Sequence, residues 1–307
     1  MNIQKSFLPH PAAQAHRLPA HNPAPAELEY GKLYLVATPI GNLEDMTFRA
    51  VNTLHSVDWI AAEDTRQTKK LLNHFEISTR LFSYHEHNKM ASGERIIDLL
   101  KEGQSVALVS DAGTPAVSDP GMEIVEAALA EGLSVIPIPG ANAAISALIA
   151  SGLNTKAFTF LGFLPREKKQ LTQTLDQWKN HTETLVLYES PHRIKKTLAA
   201  MFEVWGDRRI SCGRELTKRH EEWLRGTVAS AMDYFANQPP IGEFCLVVEG
   251  NLSPEAEQIV GWWEGMQVVE HVKTYMNQGH SKKEAMKLAA GDRGVSKRDL
   301  YDQCHEL

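Results

Sequence analysis

The stretch Leu108-Val-Ser-Asp-Ala-Gly-Thr-Pro-Ala-Val-Ser-Asp-Pro-Gly121 carries the information on which the rest of the chain is organised. The apolar run Val106 to Val109 stops abruptly at Ser110 and Asp111, and two tiny residues, Thr114 and Pro115 follow. A short apolar run bounded by turn formers is the pattern of a strand buried on both faces, as in a parallel sheet. Met122 to Ala130 predicts the helix after it. Asp111 then falls at the carboxyl end of a strand, where open α/β sheets bind their ligands. Ala112 and Gly113 leave the backbone N–H and C=O groups open to close approach. Asp119-Pro120 has the chemistry of a helix start, with Asp as N-cap and Pro as first helical residue.

The same rhythm recurs on both sides of this stretch. Leu33 to Ala37 predicts a first strand running into Thr38-Pro-Ile-Gly-Asn-Leu43, and Thr47 opens a helix with apolar spacing through Phe48, Val51 and Leu54. Trp59 to Ala62 predicts a second strand, ending in Glu63-Asp-Thr-Arg66 and followed by a helix through Leu71 and Leu72. Arg80 to Ser83 runs into Tyr84-His-Glu-His-Asn88, and a helix from Glu94 to Leu100 follows. Ser134 to Ile138 predicts a fifth strand, ending in Pro139-Gly-Ala-Asn142 and an Ala-rich helix. Strands alternating with helices predict a mostly parallel sheet.

A second α/β set follows the linker Ser151-Gly-Leu-Asn-Thr155. Its predicted strands are Phe158 to Phe163, Thr184 to Tyr188, Arg209 to Cys212 and Phe244 to Val248. Helices are predicted at Lys168 to Trp178 and near Ala229 to Phe235, and the looser spacing implies antiparallel members. After Ser253-Pro254 the pattern is helical to the end. The expected organisation is an N-terminal tail (1–29), an α/β domain (30–151), a second α/β domain (152–252) and a helical module (253–307). Residues 1–29 hold five of the fifteen prolines and six alanines without apolar period, so the segment is expected to be disordered.

Composition sets further bounds. The 307 residues carry a net charge of -6, which excludes a global pull on nucleic acid and confines any RNA site to a local patch. DNA is not expected as a partner. Cys212, Cys245 and Cys304 are scattered, as expected for reduced thiols of a cytoplasmic protein. No apolar run reaches the roughly 18 residues of a membrane span.

No GxGxxG follows the first strand and no GxxxxGK[ST] occurs, so dinucleotide and P-loop readings lack their phosphate cradle. The ligand of these loops should carry little phosphate. S-adenosylmethionine fits: a ribose diol and a sulfonium suit strand-end carboxylates, and tiny residues let backbone groups read adenine.

Thr38-Pro-Ile-Gly-Asn-Leu43, Ala62-Glu-Asp-Thr-Arg66, Ser110-Asp-Ala-Gly-Thr-Pro115 with Ser118-Asp-Pro-Gly121, Pro139-Gly-Ala-Asn-Ala143 and Arg214-Glu-Leu-Thr-Lys218 occur in this order. Together they resemble the tetrapyrrole-methylase superfamily, and within it the branch that methylates ribose 2'-hydroxyls of a decoding-centre cytidine in 16S ribosomal RNA. The resemblance implies two α/β domains with the methyl donor in the cleft between them, and a homodimer. It implies that Pro39, Ser110, Asp111, Ala112, Gly113, Thr114, Ser118 and Asp119 line the cleft from the first domain, and Phe163, Tyr188 and Leu216 from the second. Tetrapyrrole enzymes of the superfamily usually have a more glycine-rich first loop, so Thr38-Pro-Ile-Gly-Asn42 favours the RNA branch. Two other functions stay open: methylation of a tetrapyrrole or other small metabolite, and a non-catalytic RNA-binding role in assembly of the small ribosomal subunit.

A ribose 2'-hydroxyl is a poor nucleophile, so a positioned base, or a cation stabilising the alkoxide, helps. Glu63, Asp64, Arg66, His85, Glu189, Arg193, Arg214 and Lys218 are the candidates, all at predicted strand ends and therefore on one rim. Residue by residue, each also has the chemistry of a surface ion pair or cap. His85 and His87 share a face of an extended segment, but no third ligand has a companion spacing, so no metal is expected. Trp262-Trp263 has the character of helix core more than of a stacking platform.

Ser281-Lys-Lys-Glu284 and Ser296-Lys-Arg-Asp299 each match a capping box, with Gly291 to Ser296 as a tight connection. From Ser281 to Arg298 there are six Lys/Arg against two acids. Lys282, Lys283, Lys287, Lys297 and Arg298 are therefore candidate RNA contacts, with a solvated hairpin as the equal alternative.

Overall fold

The computed structural model describes residues 30–253, 263, 265–293, 295, 296, 300, 301 and 304. The tail 1–29, Trp262, Lys297 and Arg298 lie outside the described residues, as does most of the second predicted capping box. The chain divides into two compact units between Leu252 and Ser253.

The first unit contains two five-stranded sheets. The first is built from β1 (Lys32–Val36), β2 (Trp59–Ala62), β3 (Arg80–Ser83), β4 (Val106–Val109) and β5 (Ser134–Ile138), in the order β3-β2-β4-β1-β5 and parallel throughout. Between them run α1 (Phe48–Ser56), α2 (Thr65–His74), α3 (Lys89–Lys101) and α4 (Met122–Ala130), and α5 (Ala143–Ala150) follows β5. The two-residue period of β4 explains why the run is apolar throughout. Val106 and Leu108 pack against α3 and α4, while Ala107 and Val109 face α1 and α2. From the neighbouring strands β1 and β4 the chain departs in opposite directions, to β2 and β5, which makes their carboxyl ends a topological switch point.

The second sheet is mixed. It comprises β6 (Phe158–Phe163), β7 (Thr184–Glu189), β8 (Arg209–Arg214), β9 (Glu222–Thr227) and β10 (Phe244–Val248), in the order β6-β7-β10-β8-β9. β6 pairs parallel with β7, and all other pairs are antiparallel. One face packs on α6 (Lys168–Gln177), α7 (Ile194–Trp205) and α8 (Val228–Asn237). The other face, through Val186, Tyr188, Cys245 and Val247, receives Ala144, Ala147 and Leu148 of α5. Small residues on α5 thus join the two sheets in one core.

Some expectations are corrected. Neither the strand β9 nor the helix α7 was anticipated. Asp119-Pro120 does not start a helix: α4 begins after Gly121, whose φ of 150° breaks the chain there, and no side chain caps it. The Asp119 carboxylate is turned to other use.

In the second unit, α9 (Val268–Asn277) and α10 (Lys282–Asp292) pack around Val272, Ala285, Met286 and Ala289. The Ser281–Glu284 capping box is present. α10 continues through Gly291 to Asp292, so the connection expected from Gly291 begins later. Trp263 stacks on the buried His271, with ring centroids 5.7 Å apart.

Candidate functional site

Loops from the two sheets converge on a cleft of about 430 Å³. Ala112, Gly113, Thr114, Ser118 and Asp119 line it from the loop after β4, and Phe163, Tyr188 and Leu216 line it from the second sheet. These are eight of the eleven residues expected at the donor. The other three, Pro39, Ser110 and Asp111, line a neighbouring hollow of about 340 Å³ together with Thr38, Gly41, Gln67 and Lys70. The wall between the two is a backbone bridge: the Thr38 N–H donates to the Gly113 carbonyl at 2.8 Å, and the Gly113 N–H donates to the Thr38 carbonyl at 3.0 Å. Gly113 has a φ of 80°, and a Cβ there would sit 3.2 Å from Ile40 Cγ2, so a side chain would both strain the bridge and press on the first loop.

The lining loops are held in uncommon conformations. Ala116 and Ser118 have φ of 67° and 65°, and Glu215 and Thr217 have φ of 50° and 65°. Each pair flanks one residue, Val117 or Leu216, that lines the cleft. Left-handed backbone at non-glycine residues costs about 1–3 kcal/mol each and concentrates at ligand loops. Opposite them, Asn142 caps α5 by accepting from Ile145 N–H and donates to Thr114 Oγ1 at 3.3 Å.

The electrostatics favour a cation. Burial, aided by the charges of Glu63 and Asp111, pushes the Asp119 carboxyl up to about 6, and no Lys or Arg pairs with it among the described residues. Burial also raises Glu63, which accepts from the Asp111 N–H at 3.4 Å. The one Lys or Arg among the cleft-lining residues, Lys218, is held by Glu215 at 3.0 Å and Glu243 at 2.8 Å. The Cys245 thiol, which also lines the cleft, is pushed up to about 12 by burial and offers no thiolate.

The eight catalytic candidates do not form one rim. Lys218 reaches the cleft, with its Cγ against Gly41, where a Cβ would lie only 2.3 Å away. Glu189 borders the cleft, but its carboxylate is buried: it accepts from Thr197 Oγ1 and from Ser190 N–H, with Arg193 at 3.6 Å. Arg193 donates to the carbonyls of Leu164 and Pro165, both at 2.9 Å. Arg214 pairs with Glu222 at 3.2 Å beside a separate small cavity of about 50 Å³. Asp64 caps α2 and is held down to about 2 by its hydrogen bonds to Arg66, whose side chain is 87% exposed. His85 lies beyond them at the end of edge strand β3, with its ring 6.0 Å from that of His87. Among the described residues no group of three or more His, Cys, Asp or Glu is arranged to hold a metal ion, and no helix is long and apolar enough to cross a membrane.

Sequence reasoning missed Asn142, Glu243 and Cys245 in the lining. Asn142 had a signal, an N-capping residue before an Ala-rich helix. Glu243 and Cys245 had none, since the sheet order alone brings β10 between β7 and β8.

A parallel sheet with a switch-point loop, facing a mixed sheet across a donor-sized cleft, defines a methyltransferase of the tetrapyrrole-methylase type. The family described as Tetrapyrrole (Corrin/Porphyrin) Methylases matches residues 32–231, and the chain belongs to this family. It is 59% identical over 277 residues to Ribosomal RNA small subunit methyltransferase I of Halalkalibacterium halodurans, covering 90% of this chain and 95% of that protein. To the protein of the same name from Bacillus subtilis it is 56% identical over 278 residues, with 90% and 95% covered. Among solved structures, a cobalt precorrin-4 methyltransferase shares the fold with a TM-score of 0.54 at 19% identity, covering 70% of this chain and 94% of that one. A diphthine synthase does so with a TM-score of 0.56 at 14% identity, covering 72% and 90%.

S-adenosylmethionine is the methyl donor of this family. The cleft residues fit it: Phe163, Tyr188 and Leu216 give apolar surface, and Asp119 presents a carboxylate without a Lys or Arg partner among the described residues, while the Gly113 N–H and C=O are taken up by the bridge to Thr38.

Proposed function

We propose that the chain methylates the ribose 2'-hydroxyl of a cytidine in the decoding region of 16S ribosomal RNA, within the small subunit. The observation that carries this is its 56–59% identity, over nearly their whole length, to proteins named for methylation of small-subunit ribosomal RNA. The open cleft agrees with it, since a macromolecular acceptor must reach the donor from outside. When bound, S-adenosylmethionine supplies an electrophilic methyl group on a cationic sulfur. Asp119 faces that cation and is the acceptor for the proton of the hydroxyl. The walls of the site, Leu216, Phe163 and Tyr188, hold the donor and exclude water. The hollow lined by Pro39, Ser110 and Asp111 receives acceptor RNA beside the reacting ribose, with Glu63, Asp64, Arg66 and His85 along its outer side. The helical hairpin contributes RNA contacts through Lys282, Lys283 and Lys287. A homodimer in the cytoplasm belongs to the same proposal, on the strength of the family resemblance.

The test is transfer of a labelled methyl group to naked 16S RNA, 30S particles and precorrins, followed by nucleoside analysis. Label in 2'-O-methylcytidine is expected. Label in precorrin would favour a metabolite methylase, and RNA binding without transfer would favour an assembly factor.

A further inference from the structure

The loops after β6 and β7 carry a second cationic surface, distinct from the C-terminal hairpin. Residues 165–169 and 192–196 contain Arg166, Lys168, Lys169, Arg193, Lys195 and Lys196 against the single acid Glu167. Arg193 turns inward, and its guanidinium donates to the carbonyls of Leu164 and Pro165, fastening one loop to the other. Glu167 is engaged as the cap of α6, accepting from Lys169 and Gln170 N–H at 3.1 and 3.3 Å. The other five side chains are exposed, and none pairs with a carboxylate among the described residues. α6 and α7 pack side by side, with Leu171 and Leu175 of one in the same core as Ile194 and Leu198 of the other. The amino-terminal ends of both helices, which favour anions, are therefore presented with these cations.

The position of this surface gives it a purpose. The strands that feed the two loops end in Phe163 and in Tyr188-Glu189, and these residues, with Ser190 and Pro191, form one side of the cleft. The band's cations begin three residues beyond Phe163, at Arg166, and four beyond Pro191, at Lys195. On a chain of net charge -6, five cations that pair with no carboxylate among the described residues, on the two segments that follow cleft-lining strands, are more than solvation requires.

We propose that Arg166, Lys168, Lys169, Lys195 and Lys196 form a phosphate-binding band that grips the ribosomal RNA strand flanking the target ribose. This deepens the proposed function and rests on it for the identity of the RNA. Held at the mouth, the strand enters the cleft with its phosphates outside and one sugar turned in. Four of its five members are lysines, point charges on flexible stems that suit phosphate contacts, which position a strand without reading its sequence.

The experiment replaces Lys168, Lys169, Lys195 and Lys196 with Gln and measures equilibrium binding of purified 16S RNA across a salt series. Loss of four phosphate contacts should flatten the slope of log affinity against log salt by about 3, at 0.7–0.9 per contact, and weaken binding at least tenfold at low salt. The melting temperature and the affinity for S-adenosylmethionine should be those of the parent, since no cleft residue is altered. With turnover on 30S particles, KM should rise while kcat is kept. An unchanged slope and affinity overturn the band. Binding is read without turnover, so the two proposals separate: RNA bound through the band but never methylated would defeat the ribose assignment alone. Methylation with an unaltered slope would defeat the band alone. If the fourfold variant melts early, the pairs Lys168→Gln/Lys169→Gln and Lys195→Gln/Lys196→Gln are compared singly, each expected to flatten the slope by about 1.5.

Discussion

The backbone N–H of Asp64 donates to Oδ1 of Asp111 at 3.0 Å, so the carboxylate at the end of β4 is engaged by the loop after β2. This tie fixes the two loops against each other and turns Asp111 into the hollow, on the far side of the Thr38–Gly113 bridge from the cleft. Asp111→Ala should therefore change the affinity for S-adenosylmethionine less than threefold while lowering methyl transfer to 30S particles at least tenfold. Calorimetry and single-turnover transfer measure the two. A charged hydrogen bond to the donor itself would be worth about 1.5–3 kcal/mol. A loss of donor affinity of that size would return Asp111 to the donor site.

Asp119, unlike Asp111, is expected to act on donor binding as well as on transfer. The ordinary Asp ionises near 3.8, whereas burial and its acidic neighbours lift it to about 6 in the folded protein. Between those values the folded state keeps a proton that the unfolded state has lost, so stability falls as pH rises through the window and the penalty is full above about 6. Removing the charge should then stabilise the ligand-free protein. A rise of that size corresponds to about 3 kcal/mol, which solvent at this partly open site reduces to about 1–2 kcal/mol. Asp119→Asn is expected to raise the melting temperature at pH 8 and leave it unchanged at pH 4. It should weaken the cationic donor about tenfold or more, and abolish the tightening of donor binding that the parent shows from pH 5 to pH 7. A variant that binds the donor normally, with the parent's pH dependence, would take Asp119 out of the site.

These two aspartates show how far the sequence could be read. Nine of the ten strands were legible because their apolar runs must be buried on one or both faces. β9, Glu222-Trp-Leu-Arg-Gly-Thr227, was not: it is an edge strand with polar residues in its middle and little burial to mark it. The loop Ala112-Gly113-Thr114 was legible as one that borders a cleft, since tiny residues at a strand end leave room there. Which way Asp111 and Asp119 face was not, because it depends on the Thr38–Gly113 bridge and on the φ of Gly121, both set by packing. The catalytic candidates were scattered for a similar reason. Strand ends lie on one rim only if their strands are neighbours, and β3 is at the sheet edge, three strands from β1.

Thr217 offers a test of whether the cleft loops are held under strain. Its φ of 65° is poorly suited to a β-branched residue, and its Oγ1 is buried without a hydrogen-bond partner. Gly accepts that backbone freely, at the expense of greater freedom in the unfolded chain. Thr217→Gly should stabilise the protein by about 1 kcal/mol net, read as a higher melting temperature. It should also loosen Leu216 and weaken the donor by two- to fivefold. A melting temperature that falls by several degrees would mean that Thr217 packs favourably and that the loop stores no strain.

The hairpin of the second unit is tested through its charges. α10 opens with Lys282 and Lys283 directly after the capping box of Ser281 and Glu284, and Lys287 follows one turn later. Ser281 Oγ accepts from the Glu284 N–H at 3.4 Å and Glu284 accepts from the Ser281 N–H at 3.1 Å, so both of these cap hydrogen bonds are donated by backbone N–H groups. Lys282→Gln/Lys283→Gln/Lys287→Gln should leave the helix intact by circular dichroism. If the lysines touch phosphate, the slope of log affinity against log salt for 30S particles should flatten by about 2–3. Ser281→Ala serves as the structural control: it should cost the module about 1 kcal/mol and change the salt slope little. The two variants separate docking from packing. A triple Gln variant that binds with the parent's slope, beside a Ser281→Ala variant that binds poorly, would show that the hairpin acts through its fold and not through its lysine charges.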